Sequence, residues 1–182
     1  MRIEICPGLY IRDITDTDKN SIVKYADNKK IADNLRDSFP FPYTIEDAEN
    51  WLTFLNDHDP KRAFAIANDK EFIGAVGIEP YNDVNSYSGE LGYWLGEPFW
   101  GKGIATKAVK KFIPYIFENY DLIKIFAYVF SSNPSSGKVL VKAGLKLEGS
   151  LRNQIVKEGK VLDQLVYGIL KEDVPILKIK DS

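Results

Sequence analysis

The stretch Gly89-Glu90-Leu91-Gly92-Tyr93-Trp94-Leu95-Gly96-Glu97-Pro98-Phe99-Trp100-Gly101-Lys102-Gly103-Ile104-Ala105 constrains the chain more than any other. It reads as a strand over Gly89–Leu95, a glycine-bearing loop, and the start of the longest helix. That helix carries Ile104, Ala108, Phe112 and Ile116 on one face as far as Asn119, with Pro114 inside it. Glycines at 101 and 103 let successive backbone N–H groups turn into one concavity, and the helix behind them adds the positive end of its dipole. Such a nest binds a pyrophosphate.

The flanking sequence supplies a sheet and further helices. Leu9 to Ile14 reads as a first strand, and a helical run follows through Ile22, Val23 and Tyr25. Phe39-Pro40-Phe41-Pro42-Tyr43 is too proline-rich for a helix or a central strand, whereas Thr44 opens a helix with acids in its first turn and Ala48, Trp51, Leu52 and Leu55 at helical spacing. Arg62–Asn68 and Phe72–Glu79 form a hairpin around Asn68-Asp69-Lys70, and Ile123–Phe130 is apolar enough for a central strand. Asn133-Pro134 starts a short helix that Gly144 stops, and Leu147–Lys157 with Val161–Leu170 close the chain as a second hairpin around Glu158-Gly159-Lys160. The predicted order is strand, two or three helices, three strands, helix, strand, helix, two strands. No repeat or linker interrupts it, so residues 1–182 are expected to form a single domain, with a loosely held tail from Pro175 to Ser182.

Composition removes several function classes. The formal charge is -2 with basic residues dispersed, so direct nucleic-acid binding is not expected. The N-terminal segment lacks the apolar run of a signal peptide and no later stretch is long enough to span a bilayer, so the expected compartment is the cytoplasm. Cys6 is the single cysteine and His58 the single histidine, which leaves no multi-cysteine metal site and no His-activated nucleophile near the glycine loop; no metal is expected.

Three readings of the glycine loop compete. As a Rossmann fingerprint it fails, because the third glycine would fall at Thr106. As a P-loop it fits at Gly96, Gly101 and Lys102, but Gly103 stands where a serine or threonine would hold magnesium. The third is motif A of the GNAT acetyltransferases, which the segment resembles at Gly101 and Gly103, although Pro98 occupies its first position. The wider Gly-Glu-Leu-Gly-Tyr-Trp-Leu and Trp-Gly-Lys-Gly-Ile-Ala-Thr strings resemble the RimJ/RimL branch of that superfamily. So do Phe41-Pro42-Tyr43-Thr44 with Asp47-Ala48, Asn133-Pro134-Ser135-Ser136 through Gly144, and Glu148-Gly149 with Leu151-Arg152.

The resemblance covers about Leu9 to Asp173 and implies a mixed α/β fold: a strongly twisted, mostly antiparallel sheet flanked by helices, with its fourth and fifth strands (Gly89–Leu95 and Ile123–Phe130) splayed apart. It implies acetyl-coenzyme A as co-substrate, with backbone of Trp94, Leu95 and Gly96 holding the pantetheine arm. The loop Gly101, Lys102, Gly103, Ile104, Ala105 and Thr106 would cradle the pyrophosphate, and Asn133 would add a contact besides capping its helix. Ser136 is expected near the thioester sulfur as proton donor to the leaving thiolate, and Glu90 as base or water relay to the amine, with Glu97, Asp83 and Glu148 as weaker candidates. The tyrosine that many members carry seven residues after the asparagine is replaced by Leu140.

The expected reaction is direct attack of a neutral amine on the thioester in a ternary complex, with the oxyanion held by N–H groups of the Gly89–Leu95 strand. The branch implies a protein N-terminal α-amine, of ribosomal-protein type, as acceptor. A small amine (polyamine, amino acid or aminoglycoside) and a coenzyme-binding regulatory module with little turnover remain alternatives, and either a monomer or a homodimer is compatible.

Overall fold

Gly, Pro, Asn and Thr at the ends of apolar runs set most element boundaries in the computed structural model, which describes residues 1–174; the tail Pro175–Ser182 lies outside the described residues. Eight strands form one open sheet in the order β1-β2-β3-β4-β5-β6-β8-β7. The chain divides into two compact units, Met1–Gly77 with Tyr93–Ala108, and Ile78–Gly92 with the chain from Val109 onward.

The first unit opens with a hairpin of β1 (Arg2–Cys6) and β2 (Leu9–Arg12), which sequence reading reduced to one strand. Arg2-Ile3-Glu4-Ile5 alternates as an edge strand does, with Ile5 buried, Ile3 half-buried and Arg2 and Glu4 exposed, and its short apolar content hid it. β2 pairs antiparallel with β3 (Ala63–Asn68), and β3 with β4 (Phe72–Pro80). Against this sheet lies a core of Ile22 and Ala26 from α1 (Lys19–Ala26) and Ala48 and Leu52 from α3 (Ile45–Asn56), packed with Ala65, Ala67, Phe72 and Ala75. Between these helices runs the single turn α2 (Lys29–Ala32). α3 starts in a capping box: Asp47 N donates to Thr44 Oγ1 at 3.2 Å and Thr44 N to Asp47 Oδ2 at 2.7 Å.

Asp18 is the one buried charged residue of the described chain. Arg12 grips both its oxygens at 2.8 and 2.7 Å, and Thr15 N donates to it at 3.0 Å. Burial alone would raise its pKa, but these hydrogen bonds outweigh that and hold it below the ordinary carboxylate value. The pair therefore stabilises the fold above the unfolded pKa and is lost as pH falls through the lower folded value. Asp18→Ala should leave Arg12 without its partner and cost about 3 kcal/mol in thermal or urea unfolding at neutral pH. A change below about 0.5 kcal/mol would show that water replaces the carboxylate without loss.

β5 (Ser88–Leu95) pairs in parallel with β6 (Lys124–Phe130) through Ser88↔Lys124, Gly89↔Ile125 and Glu90↔Phe126, all residues of the second unit. These are the strands expected as fourth and fifth, moved one place by β1. β6 pairs antiparallel with β8 (Lys160–Leu170) along its full length, and β8 with β7 (Lys146–Lys157). All other registered pairs being antiparallel, the sheet is mixed and mostly antiparallel. The β7–β8 turn has Glu158 and Gly159 at φ 51° and 72°, the paired positive values that match hairpin twist. α4 (Ile104–Asn119) continues through Pro114, with Phe112, Ile113, Ile116 and Phe117 buried. α5 (Pro134–Ala143) ends at Gly144 in the left-handed conformation.

Candidate active site

The loop between β5 and α4 has the geometry expected of an anion cradle. Gly101 and Gly103 sit at φ 73° and 72°, and a Cβ at either would meet no atom within 4 Å, so both face open space. Lys107 N donates to Gly103 O at 3.1 Å, the first i→i−4 bond of α4, which leaves the N–H groups of Ile104, Ala105 and Thr106 as the first-turn donors without intrahelical acceptors.

The approach to this cradle is stapled. Gly96 N donates to Ile73 O at 2.8 Å, Phe99 N to Gly96 O at 2.9 Å, and the Trp100 indole Nε1 to Leu95 O at 2.6 Å. The Phe99 ring meets Tyr25 edge-on at 5.4 Å. Glu97 accepts from Asn28 at 2.7 Å and pairs with Lys30; the Lys30 and Asn28 hydrogen bonds hold its pKa below the ordinary value. Glu97 thus anchors the loop, a role that competes with proton abstraction. Lys102 turns back on its own loop, with Nζ 2.9 Å from Pro98 O and 5.8 Å from the Phe99 ring centroid.

Strand alternation sorts the three residues expected to hold pantetheine. Gly96 N–H points at β4, and Trp94 O lies 2.4 Å from where a Cβ on Gly74 would stand, so Trp94 and Gly96 turn their backbone groups toward β4. By strand alternation the backbone groups of Leu95 point the other way. Even there, Leu95 O already accepts the Trp100 indole. Which edge a backbone group takes depends on the neighbouring strand, and no sequence signal gives it.

In the second unit Glu90 is half-buried, and its Oε2 accepts from the Tyr81 hydroxyl at 3.1 Å. Across the irregular turn from Asn82 to Tyr87, Tyr81 N donates to Ser88 O at 2.9 Å and so rejoins β5. Asn133 Oδ1 accepts from Ser136 N at 3.2 Å, the helix cap expected from sequence. Leu140 is fully buried, which makes the position of the missing tyrosine a core position. Glu148 pairs with Lys124 at 2.6 Å, and Asp83 sits exposed in a single 3-10 turn at φ 55°.

The aromatic run before α3 packs locally. Phe39 lies 5.1 Å from Tyr43 and 5.8 Å from Trp94, and burial, reinforced by Asp47, pushes the Tyr43 phenol up to about 12. His58 caps the end of α3 through Nδ1 to Phe54 O at 2.7 Å. Among the described residues no group of three His, Cys, Asp or Glu side chains could hold a metal ion, and no helix is long and apolar enough to cross a membrane.

Residues 8–146 match the family described as Acetyltransferase (GNAT) domain. The uncharacterized N-acetyltransferase p20 of Bacillus licheniformis is 30% identical over 138 residues, 72% of this chain and 77% of that one. Two solved structures share the fold at lower identity. The ribosomal L7/L12 α-N-protein acetyltransferase RimL, in complex with coenzyme A, superposes with a TM-score of 0.83 at 19% identity, covering 96% of this chain and 99% of its own. Spermidine N-acetyltransferase from Vibrio cholerae, in complex with coenzyme A and spermine, gives 0.79 at 22%, covering 93% and 99%.

Proposed function

This chain belongs to the GNAT acetyltransferase family and transfers acetyl from acetyl-coenzyme A to an amine, and we propose that its acceptor is a polypeptide N-terminal α-amine. The observation that carries this reading is the setting of Glu90, a carboxylate hydrogen-bonded to Tyr81 on a face shared with Phe126 and Tyr128. A carboxylate among rings suits an ammonium attached to an apolar or peptide body. The structural likeness to RimL, a ribosomal-protein α-N-acetyltransferase, supports the same reading, while the spermidine enzyme supplies the rival.

Each residue then has a task. The loop from Gly101 to Thr106 offers backbone N–H groups and the helix dipole to the pyrophosphate. Backbone groups of β5 would pair with the pantetheine amides and hold the oxyanion. Glu90 takes a proton from the acceptor, and Ser136, at the first turn of α5, gives one to the departing thiolate. Asn133 shapes that turn by capping it.

The test is a competition. Short lysine-free peptides with a free N-terminus and spermidine, at equal concentration with acetyl-coenzyme A, should yield acetyl-peptide at least about tenfold faster by kcat/KM, read by mass spectrometry. Faster acetylation of spermidine would transfer the assignment to small amines.

A further inference from the structure

The carboxyl group of a glutamate on a strand rotates about several bonds, and a base that must meet an incoming amine loses rate to every orientation that misses it. In this chain the local structure removes that freedom. Glu90 registers with Phe126 across the parallel β5–β6 pair, and Phe126 and Tyr128, two apart on β6, share a face with ring centroids 5.4 Å apart. Tyr81 leaves the end of β4 and is drawn back to β5 by its N–H on Ser88 O, which sets its ring 5.1 Å from Phe126 at 89°. From that seat its hydroxyl donates to Glu90 Oε2 at 3.1 Å.

We propose that Tyr81 is the positioning residue for amine deprotonation: its hydroxyl fixes the Glu90 carboxylate, and its ring, held by Phe126, fixes the hydroxyl. This rests on the reading that Glu90 takes the acceptor's proton. The step it serves breaks an N–H bond of the ammonium and forms an O–H bond on Glu90. The freed nitrogen lone pair bonds the acetyl carbonyl carbon, and as the tetrahedral adduct collapses the C–S bond breaks with its electron pair leaving on the sulfur of coenzyme A; the adduct's nitrogen gives up its second proton, which replaces the one that Ser136 passes to the sulfur, so a neutral amide and the coenzyme A thiol leave. Tyr81 exchanges no proton in this sequence, so its removal acts through Glu90 alone.

That dependence is what a double-variant cycle measures. With a lysine-free hexapeptide carrying a free N-terminus, and in parallel with spermidine, kcat and KM are taken for the parent chain, Tyr81→Phe, Glu90→Gln and the double variant. Tyr81→Phe keeps the ring and its packing and removes only the donor. Its kcat should fall about tenfold, the loss expected when one oriented general base becomes free to rotate, with KM for acetyl-coenzyme A and the melting temperature unchanged. Glu90→Gln should lower kcat about 100-fold, within the usual range for a general base. The double variant should match Glu90→Gln alone, because there is no base left to position. Loss in Glu90→Gln with Tyr81→Phe equal to the parent overturns the role of Tyr81 and leaves that of Glu90 standing. Effects that multiply in the double variant also overturn it, since Tyr81 would then act independently. Full activity in Glu90→Gln overturns both roles, and absence of parent turnover on either amine overturns them together with the acceptor assignment.

Discussion

Gly103→Asp should lower acetyl-coenzyme A affinity at least about 100-fold, measured by calorimetry, while the protein remains folded. Residue 103 is at φ 72°, so any side chain there adopts a left-handed backbone, but aspartate is among the residues that tolerate it, and a Cβ meets nothing within 4 Å. The fold is therefore only mildly strained. The carboxylate, by contrast, enters the space in front of the first-turn N–H groups of α4, where the pyrophosphate is expected. Two unit charges 4 Å apart at a near-surface effective dielectric repel by about 4 kcal/mol, and a pyrophosphate carries more than one. Gly103→Ala separates the terms: it shares the backbone strain without the charge and should weaken binding by less than about tenfold. If Gly103→Asp binds within about threefold of the parent, the cradle lies elsewhere. If Gly103→Ala is as damaged as Gly103→Asp, conformation rather than charge controls the site.

The parts of this structure that could be read from sequence are those decided by chemistry within a few residues. Thr44 with Asp47, Asn133 with Pro134, Gly144, and Glu158 with Gly159 each satisfy or turn the backbone locally, and each stands at an observed boundary. The positive φ of Gly101 and Gly103 belongs to the same class, since two glycines before a helix specify their own backbone. What escaped depends on a distant partner. β1 exists because β2 pairs with it, and its four alternating residues are too few to announce a strand. Which backbone groups of Trp94, Leu95 and Gly96 are available to pantetheine depends on β4, whose Ile73 O accepts from Gly96 N. Lys102 donates to Pro98 O, a contact set by the shape of its own loop. Tyr81 and Glu90 are nine residues apart across an irregular turn, and only the return of Tyr81 N to Ser88 O brings them together.

A peptide bearing both a free N-terminus and a lysine should be acetylated on the terminus, with a preference of at least about 30-fold at pH 7. The argument starts from the fraction of each amine that can attack. An α-amine of pKa about 7.9 is roughly 10% neutral at pH 7, whereas a lysine ε-amine near 10.4 is neutral to about one part in 2,500, a difference of about 3.4 kcal/mol. The more basic ε-amine is also the better nucleophile once neutral, which returns part of that difference and reduces an upper limit of roughly 300-fold. A site can erase the remainder only by supplying deprotonation to the ε-amine selectively. The chain's one histidine ends α3 against Phe54, and the base assigned to the reaction is Glu90, a carboxylate to which Tyr81 donates. The same arithmetic gives a pH signature: from pH 7 to pH 9 the α-amine becomes almost wholly neutral, while the ε-amine still gains nearly tenfold per unit, so the α-to-ε ratio should fall about tenfold. Mass spectrometry of fragmented product across that range reads the site and the ratio together. Predominant ε-acetylation at pH 7 would overturn the N-terminal assignment, and a ratio indifferent to pH would show that the pocket's shape, rather than the protonation of the free amine, selects the acceptor.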